Sequence, residues 1–325
     1  MSTATTVTQR QKRRSGPRFT LMTIALLLLS AAAVFYFRPG IFVERVQRFR
    51  EWKVGLRQES VTLGGQKIHY VVGGQGKPLV LVHGLGGTSE DWIPLIPGFI
   101  RSGYKVYALD LLGYGRSARP DVDYSISLEE QIVKEFLDSQ GLQQPDVAGW
   151  SMGGWICLKF ASDNPDRVRD LILLDSAGLK FDAVNASFLR PKTEAGLAKM
   201  MQVLTPHPPH IPSFYARDLL RGFAREDWVI ARALKSMFTG KDLMDGRMST
   251  VKMPELLVWG KQDVLTPPSI GEEMHHAMPQ SVLKIFDGCG HLAPVECSNE
   301  VGPSIANFLN GQAAHNRLPA VPRSR

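Results

Sequence analysis

Val147-Ala148-Gly149-Trp150-Ser151-Met152-Gly153-Gly154 is the stretch that decides how this chain folds. It begins as an uninterrupted apolar run, the pattern of a strand buried on both faces. It ends where a helical pattern over residues 152–162 opens. Between the two lies G-x-S-x-G. A strand that turns sharply into a helix lifts the serine hydroxyl clear of the sheet, and the glycines keep side chains out of that tight turn. Gly154 extends the close approach. A glycine-rich packing turn would use the same residues without chemistry, but the strand–serine–helix order favours a presented nucleophile.

Working outward, the same alternation recurs. Glu59–Leu63 and Lys67–Val72 read as two strands joined by a turn at Gly64-Gly65. Leu79–Val82, Val106–Leu109, Leu171–Leu174, Leu256–Trp259 and Val282–Phe286 read as further apolar strands. Helical patterns separate them. Ser127 with Glu130 forms a capping box for a helix ending about Gln140, and residues 294–309 read as another helix. Strand–helix alternation predicts an α/β fold, a mostly parallel sheet covered on both faces. The interval of about 180–250 interrupts the alternation. It is helical, contains the Pro/His-rich stretch Thr205–Ser213, and reads as an inserted lid over the catalytic domain at 58–310.

A serine hydroxyl needs a base, and the base needs an orienting acid. His291, in Asp287-Gly288-Cys289-Gly290-His291 after the last strand, is the candidate base. Asp263, after the preceding strand in Gly260-Lys261-Gln262-Asp263, is the candidate acid, with Asp175 its rival at the end of the strand before that. Asp110 precedes Gly113 and Gly115 and reads as a brace for that turn. Acyl transfer also needs donors for an oxyanion. His83-Gly84-Leu85-Gly86-Gly87 can aim the Leu85 N–H at the site, with the Met152 N–H as its partner, while His83 braces the loop. His207 and His210 lack the carboxylate or thiolate company of a metal site. Cys157, Cys289 and Cys297 are odd in number, and their spacing indicates neither a disulfide framework nor a metal knuckle.

The ends of the chain are of another character. Phe19–Phe37 is uncharged and predicts a transmembrane anchor, with a cleaved signal ending near Ala31-Ala32-Ala33 as the competing reading. Residues 1–18 form a basic tail of net charge +5, and the absence of acids there points to a cytoplasmic N-terminus and a catalytic domain on the non-cytoplasmic side. Residues 38–57 carry +4 and place Phe42, Val46, Phe49, Trp52 and Leu56 at helical spacing. They read either as an amphipathic helix on anionic lipid or as a linker helix on the domain. The tail 311–325 carries +3, which leaves residues 58–310 at −5 against the chain's overall +7. A nucleic-acid partner needs basic charge on the folded body, so that class is excluded.

His-Gly-Leu-Gly-Gly, Asp-Leu-Leu-Gly-Tyr-Gly-Arg-Ser, Gly-Trp-Ser-Met-Gly-Gly, Trp-Gly-Lys-Gln-Asp and Gly-Cys-Gly-His, in that order, resemble the α/β-hydrolase superfamily over roughly residues 60–310. Within it the chain is most similar to membrane-anchored, monoacylglycerol-lipase-like serine hydrolases. Trp150 departs from the His, Asn or Thr of many relatives. The resemblance implies an esterase needing no cofactor and no metal, with attack by Ser151, an acyl-enzyme, and hydrolysis by water that His291 activates. The substrate expected is a lipid-like acyl ester, with Met200, Met201, Met237, Met244 and Met248 offering an adaptable apolar lining. A carbon–carbon bond hydrolase of ring-cleavage products would use the same three residues, and a non-catalytic ligand receptor the same fold.

Overall fold

Gly64 and Gly65 both take positive φ, the backbone a two-residue hairpin turn needs, and they join the first two strands. The structure is a computed structural model that describes residues 17–180 and 186–315. The strands are β1 (Arg57–Leu63), β2 (Gln66–Gly74), β3 (Lys77–Val82), β4 (Tyr104–Leu109), β5 (Asp146–Trp150), β6 (Leu171–Leu174), β7 (Glu255–Gly260) and β8 (Val282–Phe286). They form one eight-stranded sheet in the order β1-β2-β4-β3-β5-β6-β7-β8. β2 runs antiparallel to both β1 and β4, and every other neighbouring pair is parallel. This is an α/β-hydrolase fold. β3, β5, β6 and β7 are buried over most of their length, as their unbroken apolar runs predict. β8 departs from that expectation: it is the sheet's edge strand, and Val282 and Ile285 stay exposed because only β7 flanks it.

The helices are α1 (Pro17–Phe37), α2 (Pro39–Lys53), α3 (Ile96–Arg101), α4 (Ile126–Ser139), α5 (Met152–Asp163), α6 (Glu194–Leu204), α7 (Ser213–Met237), α8 (Pro268–Ala277), α9 (Ala293–Glu296) and α10 (Ser298–His315). α4 is capped by Ser125, whose hydroxyl accepts from Leu128 N, and not by Ser127. Ser127 instead donates to Asp242 at 2.6 Å, which ties α4 to the segment between Met237 and Glu255. The helix expected over 294–309 is broken at Cys297 into α9 and α10. Cys297 is bonded there to Cys289, with Cα atoms 6.1 Å apart. This disulfide overturns the reading that cysteine spacing indicates none: the partners are eight residues apart, and only the turn after β8 brings them together.

α6 and α7 stand over the sheet and share a small core of Phe188, Leu197, Met200 and Ala216. Of the five methionines expected to line the lid, Met200 and Met237 face the cavity beneath it. Met244 and Met248 are packed in the main core, and Met201 faces a crevice between α6 and α7.

Among the described residues no single helix is long and apolar enough to cross a membrane. Met22–Phe37 and Pro39–Lys53 reach that length and composition only together, and the pair is bent by 96°. The single-pass transmembrane anchor expected over 19–37 is therefore not supported. Its run stops at Arg38, and Pro39 has no N–H with which to continue it. Asp218 on α7 holds the corner, accepting from Gly40 N at 2.7 Å and lying 3.4 Å from Arg38 Nε. α2 turns its polar side inward, with Glu44 paired to Arg116 and the buried Glu51 accepting from Gln58. Val46, Phe49 and Trp52 remain exposed. The basic segments 1–16 and 316–325 lie outside the described residues.

Candidate active site

Ser151 sits between β5 and α5 with φ 56° and ψ −118°, a conformation that ordinary side chains rarely adopt. Its N–H donates to Leu174 O, and its carbonyl accepts from Trp155 N and Ala177 N, so the strained turn is held from three directions. The flanking glycines are required sterically. A Cβ on Gly149 would strike Gly153 O, and one on Gly153 would strike the carbonyl oxygens of Val82 and His83.

The loop after β8 brings His291 over the sheet. Its Nε2 is 2.9 Å from Ser151 Oγ, and its Nδ1 is 2.8 Å from Asp263 Oδ2. The loop is fixed at several points. Trp150 Nε1 donates to His291 O at 2.9 Å, and Gln262 N donates to Cys289 O. Gly290 N donates to Glu296, which also accepts from Thr205 of the lid. The Cys289–Cys297 bond closes the loop.

Asp263 is 3% exposed and fully engaged. Oδ1 accepts from Leu265 N at 2.8 Å and Thr266 N at 3.0 Å, and Oδ2 accepts from the Thr266 hydroxyl at 2.7 Å as well as facing His291. Asp175 lies behind this pair. Its Oδ1 accepts from Gly260 N, its Oδ2 has no partner, and it makes no hydrogen bond to His291. Burial, and then the charge of Asp263, hold its carboxyl well above the usual carboxylate range. The serine, histidine and aspartate read from sequence thus form one hydrogen-bonded line able to pass a hydroxyl proton to the imidazole. The rival aspartate stands outside it.

Gly84 packs against Ser151, and Leu85 follows in the same loop. Met152 is the first residue of α5, so its N–H has no intrahelical acceptor. His83 is fully buried. It touches Gly84 O at 2.7 Å through Nδ1 and accepts from Leu111 N at 3.0 Å through Nε2, so it braces the loop. Asp110 accepts from Ser89 N and Arg116 N and touches His69 Nδ1.

A cavity of about 560 Å³ opens onto Ser151 and His291, and Met200, Phe223, Ile230 and Leu234 give it apolar walls. Asp91 is the acidic side chain in the wall. Burial pushes its carboxyl up to about 6, while it caps Thr88 N at 2.8 Å. Sequence reasoning passed over Asp91, Thr266 and the Trp150 bond to the histidine loop. Thr266, three residues after Asp263 at a helix entrance, was the one with a local signal.

A family described as the alpha/beta hydrolase fold matches residues 77–207. The chain is 27% identical over 282 residues to lipase 1 of Psychrobacter immobilis, covering 82% of this chain and 88% of the lipase. It is 30% identical over 267 residues to the dihydrolipoyllysine-residue acetyltransferase component of the acetoin cleaving system of Pseudomonas putida, covering 78% and 70%. It is 28% identical over 270 residues to the 2-hydroxy-6-oxononadienedioate/2-hydroxy-6-oxononatrienedioate hydrolase of Paraburkholderia phymatum, covering 75% and 91%. A solved structure of a membrane phospholipase A, a bacterial virulence factor, superposes with a TM-score of 0.81 at 26% identity over 91% of this chain and 99% of that one. The fold and the site define a class, and the chain belongs to it: the α/β-hydrolase superfamily. It is a hydrolase of that superfamily.

Proposed function

We propose that Ser151, His291 and Asp263 cleave lipid-like acyl esters, monoacylglycerols among them, through an acyl-enzyme on Ser151. The enzyme is a carboxylic ester hydrolase. The observation carrying the reading is the Ser151–His291–Asp263 line at the floor of an apolar cavity. His291 Nε2 takes the Ser151 proton as Oγ bonds to the acyl carbon. The Leu85 and Met152 N–H groups receive the charge that develops on the carbonyl oxygen. His291 then gives its proton to the departing alcohol. A water, deprotonated by His291, attacks the acyl carbon, and the proton returns to Ser151 as the acid leaves. Asp263 keeps Nδ1 protonated and facing it throughout. The apolar wall suits the acyl chain, and so do the lipase and phospholipase among the similar proteins.

The exposed apolar sides of α1 and α2, with Arg45, Arg48, Arg50 and Lys53 beside them, support residence at a membrane. The Cys289–Cys297 bond supports a non-cytoplasmic catalytic domain, since disulfides persist in oxidising compartments.

The test is a fluorophosphonate label with a panel of p-nitrophenyl esters, acyl glycerols and a ring-cleavage dienoate. Labelling of the native enzyme, none of Ser151→Ala, and turnover of the acyl esters are expected. Turnover of the dienoate alone would favour the carbon–carbon hydrolase, which the Paraburkholderia relative keeps in view. No labelling of a folded native enzyme would favour a receptor.

A further inference from the structure

Thr266 opens the approach to α8 and is 2% exposed. Its Oγ1 lies 2.7 Å from Asp263 Oδ2, 2.9 Å from the Asp175 carbonyl oxygen and 3.1 Å from His291 Nδ1. A hydroxyl has a single proton to donate. Asp263 Oδ2 is both the nearer acceptor and the charged one, and charge-assisted hydrogen bonds are the stronger. The proton therefore goes to Asp263. Oδ2 then serves two donors, the Thr266 hydroxyl and the His291 Nδ1–H, while two backbone N–H groups occupy Oδ1.

From this geometry we infer that Thr266 is a positioning residue that sets the basicity of His291 by sharing Asp263 Oδ2 with it. The inference rests on the reading of Ser151, His291 and Asp263 as the reacting line. Four donors fill the lone-pair directions of one carboxylate and leave it a single orientation. The hydroxyl also draws off part of the charge that would otherwise stabilise a protonated imidazole, so His291 gives its proton up more readily to the leaving alcohol. Among the described residues, the other charged or titratable groups about His291 are Asp175 after β6, Glu296 on α9, and Asp91 and Lys180 on the cavity wall. None of these makes a hydrogen bond to the imidazole.

The test uses the full chain. It follows kcat and KM on a short p-nitrophenyl ester from pH 5 to 9 for the native enzyme, Thr266→Val and Thr266→Ser, with fluorophosphonate labelling alongside. Valine keeps the branched shape and puts a methyl group in place of the hydroxyl. Thr266→Val should lower kcat about tenfold, the scale of one hydrogen bond to a charged group. KM should stay within about twofold, because the cavity wall keeps its shape. The acid limb of the profile should move to higher pH, because an unshared carboxylate holds the imidazolium longer. Thr266→Ser should restore both kcat and the limb. If Thr266→Val does not fold, Thr266→Ala is read by the same limb. A labelled native enzyme whose limb is unmoved by loss of the hydroxyl would overturn the assignment of Thr266 alone, as would a serine variant as impaired as the valine one. An unlabelled native enzyme would overturn the Ser151 reading and this inference with it.

Discussion

At the scale of single residues, two aspartates end neighbouring core strands and differ in what reaches them. Asp263 receives three donors besides His291. Asp175 receives Gly260 N and leaves one oxygen buried and unpartnered. A histidine base needs a carboxylate acceptor on its far nitrogen, and the burial that raises the Asp175 carboxyl well above the usual range works against that role there. Asp263→Asn should therefore cost on the order of 10⁴ in kcat, the scale of losing an orienting carboxylate. Asp175→Asn should cost far less, and steady-state rates on a short ester compare the two. A reversed order would move the acid to the end of β6. The serine was legible because its turn is local: the glycines that permit it are two residues to either side. The sequence pointed to Asp263 and kept Asp175 as its rival, because both follow apolar strands. Only the path of the loop after β8 decides which one the imidazole meets.

At the scale of elements, β7 carries an anomaly at its first residue. Glu255 is 3% exposed with Oε2 unpartnered, and burial pushes its carboxyl up to about 7. In the unfolded chain a glutamate loses its proton near 4.5. Between these values the folded state binds more protons than the unfolded one, so this group's contribution to stability falls as pH rises through the window. Glu255→Gln keeps the shape without the titration. It should be about as stable as the native protein at pH 4 and more stable by on the order of 2 kcal/mol at pH 8, after allowance for solvent screening. Thermal unfolding at the two pH values measures this, and a difference independent of pH would exclude Glu255 as its source. The strands were readable as apolar runs because burial on both faces leaves little room for polar residues. β8 was not readable as an edge, because strand order is a property of the assembled sheet. The break between α9 and α10 falls at Cys297, whose partner Cys289 is eight residues away, and it was not marked in the sequence.

At the scale of the whole molecule, the ends of the chain are basic in sequence and residues 58–310 are mildly acidic. α1 and α2 are not simply appended. Their corner is held by Asp218, Phe214 stacks on Tyr36, and Arg221 donates to Phe37 O, so they rest on the same α7 that forms part of the cavity wall. Deleting residues 1–37 keeps the Gly40–Asp218 bond and removes α1. On the proposal that α1 brings the enzyme to a membrane, the truncated enzyme should hydrolyse a short soluble ester at close to the full rate and lose activity on acyl glycerol dispersed in vesicles. Full activity on the vesicles would remove α1 from substrate access. Loss of the soluble activity in a folded protein would make α1 part of the cavity's support.

What the sequence determined by itself was whatever depends on neighbours along the chain: the buried strands, the strained serine turn, and the helical interval that separates two core strands. Hydrophobic period and backbone sterics act over a few residues and leave their mark there. The tertiary structure alone decided the rest. It set His291 against Asp263 and not against Asp175, brought Thr266 into the same network, joined Cys289 to Cys297, sent Met244 and Met248 to the core rather than the cavity, and turned the polar side of α2 inward. Each of these depends on distances between segments far apart in the chain. Such distances follow from how the sheet, the lid and the N-terminal helices pack, and residue spacing does not carry them.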